Sequence, residues 1–196
     1  MIAGIVLAAG GSARMGRNKM LLPAAGGTLL SRAVDPLREA GLERVVVVLG
    51  RDAEAVRRSA PAAEDPRLRY VVNENWHDGM ASSLRSGLEA CADCDAVLIA
   101  LGDQPELSAE RIRRVVRGLT PGVRLVVPVH GGVPAHPVLF ARSLFPELEA
   151  LTGDIGAREV VRRHWDEALR IEMDLLGDID TEEDYERFLE GEDSRS

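Results

Sequence analysis

The sequence has a single lysine. Every other one of its 24 basic side chains is an arginine, and the exception, Lys19, stands in "LAAGGSARMGRNKMLLP" (7–23), a stretch without one acid. Aromatic residues are scarce at 4%, and no apolar run approaches the roughly 18–20 residues that span a bilayer, so no membrane partner is expected. A basic excess is also missing. The formal net charge of -8 excludes a nucleic-acid binder held by bulk charge, although a local basic loop can still hold a small anion. The only cysteines are Cys91 and Cys94, in "CADC". A redox CxxC normally opens a helix after a strand, whereas this pair closes a helical stretch, and no second Cys or His pair stands at zinc spacing. We read them as incidental thiols of a reducing cytoplasm, the expected location. The N-terminus "MIAGIVLAAGG" has no basic leader and reads as a first strand rather than a signal peptide.

What is present is an alternation of short apolar runs and amphipathic stretches. Strands are expected at 2–8, 44–50, 68–73, 95–102, 123–129, 137–140 and 169–174, rich in Val, Ile and Leu as strands buried on both faces must be. Helices are expected at 28–40, 52–59, 79–92, 108–118, 141–151, 155–164 and 181–190, with Thr28, Asp52, Ser108 and Thr181 as N-caps. Thr181 with Asp184 resembles a capping box. This pattern predicts one α/β domain over 1–190, with a mostly parallel sheet of about seven strands, helices on both faces and a frayed tail at 191–196. In such sheets ligands bind beyond the carboxyl ends of the strands.

Three segments satisfy that condition and carry charge. After the first strand, Gly10 and Gly11 can take positive φ and bring amide groups to an oxyanion, while Arg14 and Lys19 add positive charge. The loop is not a Walker A motif, because Arg17 and Asn18 stand where Lys and Ser/Thr are required. Asp103 follows the apolar strand of "LIALGDQPEL", where a hard cation bridging phosphates would sit. Asp178 and Asp180 follow the last strand, and two carboxylates from separate strand ends can share one Mg2+. In "NENWHDGMASSL", Gly79, Ser82 and Ser83 open a helix that could meet an anion or a ribose hydroxyl. His136, between Pro134 and Pro137, reads on its own as a hydrogen-bonded structural residue. Asp154, in "TGDIGAREVV", reads on its own as an N-cap.

Taken in order, "LAAGGSARMGRNKMLLP", "NENWHDGMASSL", "LGDQP", "HPVLF", "GDIGAR" and "DIDTEEDY" resemble the molybdenum cofactor nucleotidyltransferases, which have a GT-A-like Rossmann fold. The resemblance spans residues 5–185. "LAAG", "HPVLF" and "GDIGAR" look like the cytidylyl branch, where the guanylyl branch usually reads LAGG. Ala135 stands where the family commonly has Gly, and Glu182 where it commonly has Pro.

The resemblance implies CMP transfer from CTP to molybdenum-loaded molybdopterin, giving the cytosine dinucleotide and pyrophosphate. It implies a nucleotide site at Leu7, Ala8, Ala9, Gly10, Gly11, Lys19, Gly79, Ser82 and Ser83, with the Ala9 methyl narrowing the base pocket. Arg14 would hold the β- and γ-phosphates, Lys19 would approach the α-phosphate, and Asp103 would act beside them. Asp103 and Asp180 would hold Mg2+, with Asp178 in support or as substitute, and His136 and Asp154 would line the acceptor side. A transient contact with a molybdoenzyme or its insertion chaperone is also expected. The alternatives are a guanylyltransferase on the same acceptor, a sugar- or polyol-phosphate nucleotidyltransferase of the same fold, and a cofactor chaperone without catalysis.

Overall fold

The computed structural model describes residues 1–11, 15–59 and 65–193. Its strands are β1 (Ile2–Ala8), β2 (Pro23–Ala24), β3 (Gly27–Thr28), β4 (Arg44–Leu49), β5 (Leu68–Val72), β6 (Ala96–Leu101), β7 (Leu125–His130), β8 (Val133–Pro134), β9 (Val138–Ala141) and β10 (Leu169–Glu172). Its helices are α1 (Leu29–Glu39), α2 (Ala53–Ser59), α3 (Met80–Glu89), α4 (Ala109–Arg117), α5 (Phe145–Glu149), α6 (Arg158–Arg163) and α7 (Glu182–Asp193).

The main sheet runs β10-β7-β9-β6-β1-β4-β5, with β8 hung on β7. β5, β4, β1 and β6 are mutually parallel, and only β9, inserted between β6 and β7, reverses the direction of that path. The mostly parallel sheet that was expected is therefore found, with eight strands in place of about seven and only β9 and β8 antiparallel. A separate ribbon pairs β2 with β3. These two-residue strands and β8 are too short to leave a period in the sequence.

Period-two side-chain alternation feeds two cores. Ile5, Val46, Val48, Val97 and Ile99 point to the face covered by Leu84 and Leu88 of α3 and Leu148 of α5. Val6, Val45, Val47 and Leu98 point to the opposite face, against Leu30, Val34 and Leu37 of α1 and Ile112 of α4. Each such fully buried side chain contributes roughly 1.5–3 kcal/mol. A third, smaller cluster joins Leu22 and Leu29 to Ile179 and Tyr185, fastening α7 to the segment after Lys19.

Thr28 and Ser108 cap α1 and α4 as expected. The Thr181–Asp184 box is also formed: Asp184 N donates to Thr181 Oγ1 at 3.2 Å, and Asp184 Oδ2 accepts from Thr181 N at 2.8 Å. Asp52 differs. It precedes α2 with φ of 57°, a conformation Asp tolerates, and its carboxylate lies 3.6 Å from Arg51 Nε. Among the described residues no helix is long and apolar enough to cross a membrane.

Candidate active site

β1 leads on one side to β4 and β5, while β6 returns to its other side, so the strand order reverses between β1 and β6. A crevice must open there at the carboxyl ends. It does so as a cleft of about 550 Å³ whose lining includes residues 7–11, Lys19, Gly79, Ser83, Asp103, Asp154 and Asp180.

Lys19 stands at its centre. The one-turn 3-10 helix Lys19–Leu21 is capped by Asn18, whose Oδ1 accepts from Met20 N at 3.1 Å while its Nδ2 donates to Arg51 O at 3.0 Å. The Lys19 ammonium donates to Asp103 Oδ2 at 2.7 Å, Asp180 Oδ1 at 2.9 Å and the Ile179 carbonyl at 2.9 Å. Burial alone would lower its pKa, but the two carboxylates outweigh it, and the pKa is raised.

The carboxylates are brought there by backbone. Gly102 N bonds Leu7 O at 3.0 Å, and a Cβ at Gly102 would lie 2.9 Å from Met20 Sδ and 3.1 Å from Ala8 Cβ. Only glycine lets the β6 end draw so close to β1. Asp103 O accepts from Ile179 N at 3.0 Å, which brings Asp180 alongside. The Asp184 carboxylate accepts from Asp180 N at 3.1 Å and so ties that residue to the start of α7.

A divalent cation fits this donor set. Asp103 Oδ1 is buried and accepts no hydrogen bond among the described residues, and both groups are hard oxygen donors. No cluster of three or more His, Cys, Asp or Glu suited to a metal occurs among the described residues. The remaining positions around an ion would thus fall to water and phosphate oxygens.

The opening loop departs from expectation. Gly10 and Gly11 do not have positive φ; the glycine of this segment that does is Gly16, at 64°. Gly11 lies instead against Trp76, whose Cζ3 would be 3.2 Å from a Cβ there, a tight contact. Arg14 lies outside the described residues.

At the far wall, Gly79 has φ of 99° and sits so close to Gly153 that a Cβ would come within 2.4 Å of its carbonyl. Ser83 lines the cleft, but Ser82 does not. Its buried hydroxyl lies 2.8 Å from both Asn75 O and Gly79 O and accepts from Asn73 Nδ2 at 2.8 Å, so it closes the loop before α3. Asp154 lines the cleft and is no N-cap, because α6 begins only at Arg158.

His136 is not on the cleft wall. Its Nδ1 is 3.3 Å from Ile99 O, and burial lowers its pKa, as suits the structural reading of this residue. Asp178 turns to Gln104, whose Nε2 donates at 2.7 Å, and borders a different hollow with Phe188; burial raises its pKa. Trp76, His77, Met20, Met80 and Leu101 complete the cleft wall without having been singled out from sequence. Trp76 carries a sequence signal: it is one of two tryptophans and stands inside "NENWHDGMASSL".

Residues 4–168 match the model of the MobA-like NTP transferase domain. The chain belongs to that family. This MobA-like NTP transferase is 36% identical over 171 residues to nicotine blue oxidoreductase of Paenarthrobacter nicotinovorans, covering 83% of this chain and 82% of the other. It is 30% identical over 195 residues to the purine catabolism protein PucB of Bacillus subtilis, covering 94% of each. To molybdenum cofactor cytidylyltransferase of Escherichia coli it is 26% identical over 192 residues, covering 95% and 96%. Among solved structures, Rv0371c of Mycobacterium tuberculosis superposes with a TM-score of 0.84 at 34% identity, covering 96% and 97%. Its manganese complex gives 0.78 at 31%, covering 96% and 98%.

Proposed function

We propose that this cleft transfers CMP from CTP to a phosphate of molybdenum-loaded molybdopterin. The acceptor phosphate oxygen attacks the α-phosphorus in line, a new P–O–P bond forms, and the bond to pyrophosphate breaks. The observation that carries the reading is the convergence of Asp103 and Asp180 on the Lys19 ammonium, beneath a glycine loop at the switch point of the sheet. Such chemistry asks a protein for positioning and charge neutralisation more than for covalent work.

In this reading Leu7, Ala8, Ala9, Gly10 and Gly11 form the nucleotide wall, with Gly79 and Ser83 opposite and Arg14 on the terminal phosphates. Lys19 passes from its carboxylate partners to the α-phosphate as negative charge develops, a place a compact ammonium enters and a broad guanidinium does not. Asp103 and Asp180 hold Mg2+, which supplies Lewis-acid stabilisation of the phosphate oxygens. The manganese complex of the mycobacterial relative supports a divalent ion in this role. Asp154 faces the acceptor. Preference for cytosine rests on the buried Ala9 methyl, with Trp76 in the same lining, leaving little width for a purine. The motif resemblance and the Escherichia coli relative favour molybdopterin as acceptor.

The test is incubation with labelled CTP or GTP, Mg2+ and molybdopterin, scoring dinucleotide and pyrophosphate. Cytosine dinucleotide is expected. Equal incorporation of GTP would overturn the base assignment, and absence of any pyrophosphate would overturn the transfer.

A further inference from the structure

Beside the cleft lies a second hollow of about 560 Å³, within the size range of small-molecule sites. Its walls are largely apolar, including Pro134 of β8, Ile155, Val161 and Trp165. Two arginines reach it. Arg162 is committed to Glu159, at 2.8 and 2.9 Å, whereas Arg158 is exposed and has no carboxylate or carbonyl partner among the described residues. Trp165 is covered on one side by Arg170, whose guanidinium carbon lies 5.1 Å from the ring centroid.

The hollow and the cleft share a wall. Asp154 lines the cleft, and the next two residues, Ile155 and Gly156, line the hollow. Between them lies one thioether: Met80 borders the cleft, and a Cβ on Gly156 would come 2.5 Å from its sulfur. Ile155 is half exposed at 50%, so its side chain stands open at the lip of the cavity. The nucleotide loop is on the β1 side, while this hollow sits under β8 and α6, on the half of the sheet beyond β9.

We propose that the hollow receives the body of the acceptor: a planar heterocycle lying between Trp165 and Ile155, with negative charge held by Arg158. This rests on the transfer reading above and extends it, since it gives the acceptor a second anchor away from the reacting phosphate. The free guanidinium supplies charge-assisted recognition, the apolar walls take the ring, and Met80 is the movable partition.

The two tryptophans make the test selective, because one lines each cavity. In the Trp76→Phe variant, Trp165 is the sole reporter. Titration with pterin-6-carboxylate is expected to quench its emission saturably, without competition from CTP. Arg158→Gln should weaken that binding by about tenfold or more, the scale of a hydrogen bond to a charged group. Ile155→Arg should block it. With molybdopterin as acceptor, Arg158→Gln should raise the acceptor KM while leaving that of CTP unchanged. Arg158 and Ile155 are exposed, so their substitution leaves the fold intact, and Trp76→Phe keeps an aromatic ring at a half-buried position.

Absence of saturable quenching, full affinity in Arg158→Gln, or displacement of the probe by CTP would each overturn the proposal. Probe binding that obeys these expectations in a protein releasing no pyrophosphate from CTP would overturn the transfer reading alone. The hollow would then stand as a site for planar anions.

Discussion

Lys19 and Asp103 meet at 2.7 Å across 84 positions of sequence, and the same ammonium holds Asp180 at 2.9 Å. The lysine thus occupies the space between two carboxylates that a divalent ion would share. On the proposed reading the residue would occupy the cation site as well as meet a phosphate.

Replacing Lys19 by Met removes one positive charge from between two negative ones. In the absence of nucleotide, Mn2+ should bind at least about tenfold more tightly, because a close charge pair at a partly buried site is worth more than that factor. Turnover should fall by about 100-fold or more, as when one preorganised electrostatic group is lost. Electron paramagnetic resonance of free Mn2+ reads the first effect, and pyrophosphate release the second. Lys19→Arg should also lose turnover despite keeping charge. Near-normal activity there would remove the argument from ammonium size.

Asp103→Asn and Asp180→Asn should each abolish Mn2+ retention in the presence of nucleotide and reduce turnover by about 100- to 1000-fold. Asp178→Asn should leave Mn2+ binding intact, since Asp178 is engaged by Gln104 outside the cleft. Comparable loss of metal in all three variants would contradict this division.

Gly50 stands behind the cleft, and a Cβ there would come 2.6 Å from Ala9 O and 2.7 Å from Trp76 Cβ. Gly50→Ala should destabilise the protein by about 1–3 kcal/mol, as overpacking does, and weaken nucleotide binding by pushing Trp76 onto the loop. Gly10→Ala, where a Cβ meets no atom within 4 Å, should leave the melting temperature nearly unchanged and affect nucleotide binding alone. Thermal unfolding with and without CTP separates the two effects.

Ser82→Ala leaves polar groups around Asn73 and Asn75 without their partner, which costs about 1–3 kcal/mol, and should lower the melting temperature without a direct effect on the KM for CTP. Ser83→Ala should raise that KM and also cost some stability, because Ser83 Oγ accepts from Asn73 Nδ2 at 3.0 Å. If Ser82→Ala raised the KM at unchanged stability, Ser82 would belong to the nucleotide site after all.

Cys91 and Cys94 are both fully buried, and burial pushes the Cys91 thiol up to about 12 and raises that of Cys94. Thiolates are the reactive form, so at neutral pH neither should react with iodoacetamide in the native state, and both should do so in denaturant. Rapid native alkylation would revive a redox role for the pair.

The parts of the fold that were legible in sequence are those with strong periodicity. The apolar runs of β1, β4 and β6 are continuous because both faces are covered, and the caps Thr28, Ser108 and Thr181 obey local rules. The reversal of β9 was not legible, because direction depends on the partner strand and leaves no mark on "VLFA". The same distinction divides the site. Asp103 could be placed because it follows an apolar strand immediately. That Asp180 faces Lys19 while Asp178 turns to Gln104 depends on the path of the backbone through Ile179, which local sequence does not reveal. The loss of Ser82 to a buried network likewise depends on Asn73, whose amide reaches both serines only once β5 and α3 are docked.

The family match ends at residue 168, yet Asp180 comes after it, anchored by the box that begins α7 and by Tyr185 Oη donating to Pro23 O at 2.6 Å. The last stretch of polypeptide therefore supplies a wall of the cleft and is no trailing ornament. A chain trimmed at the family boundary would keep its glycine cradle and its lone lysine while losing one of the two carboxylates that close on that lysine.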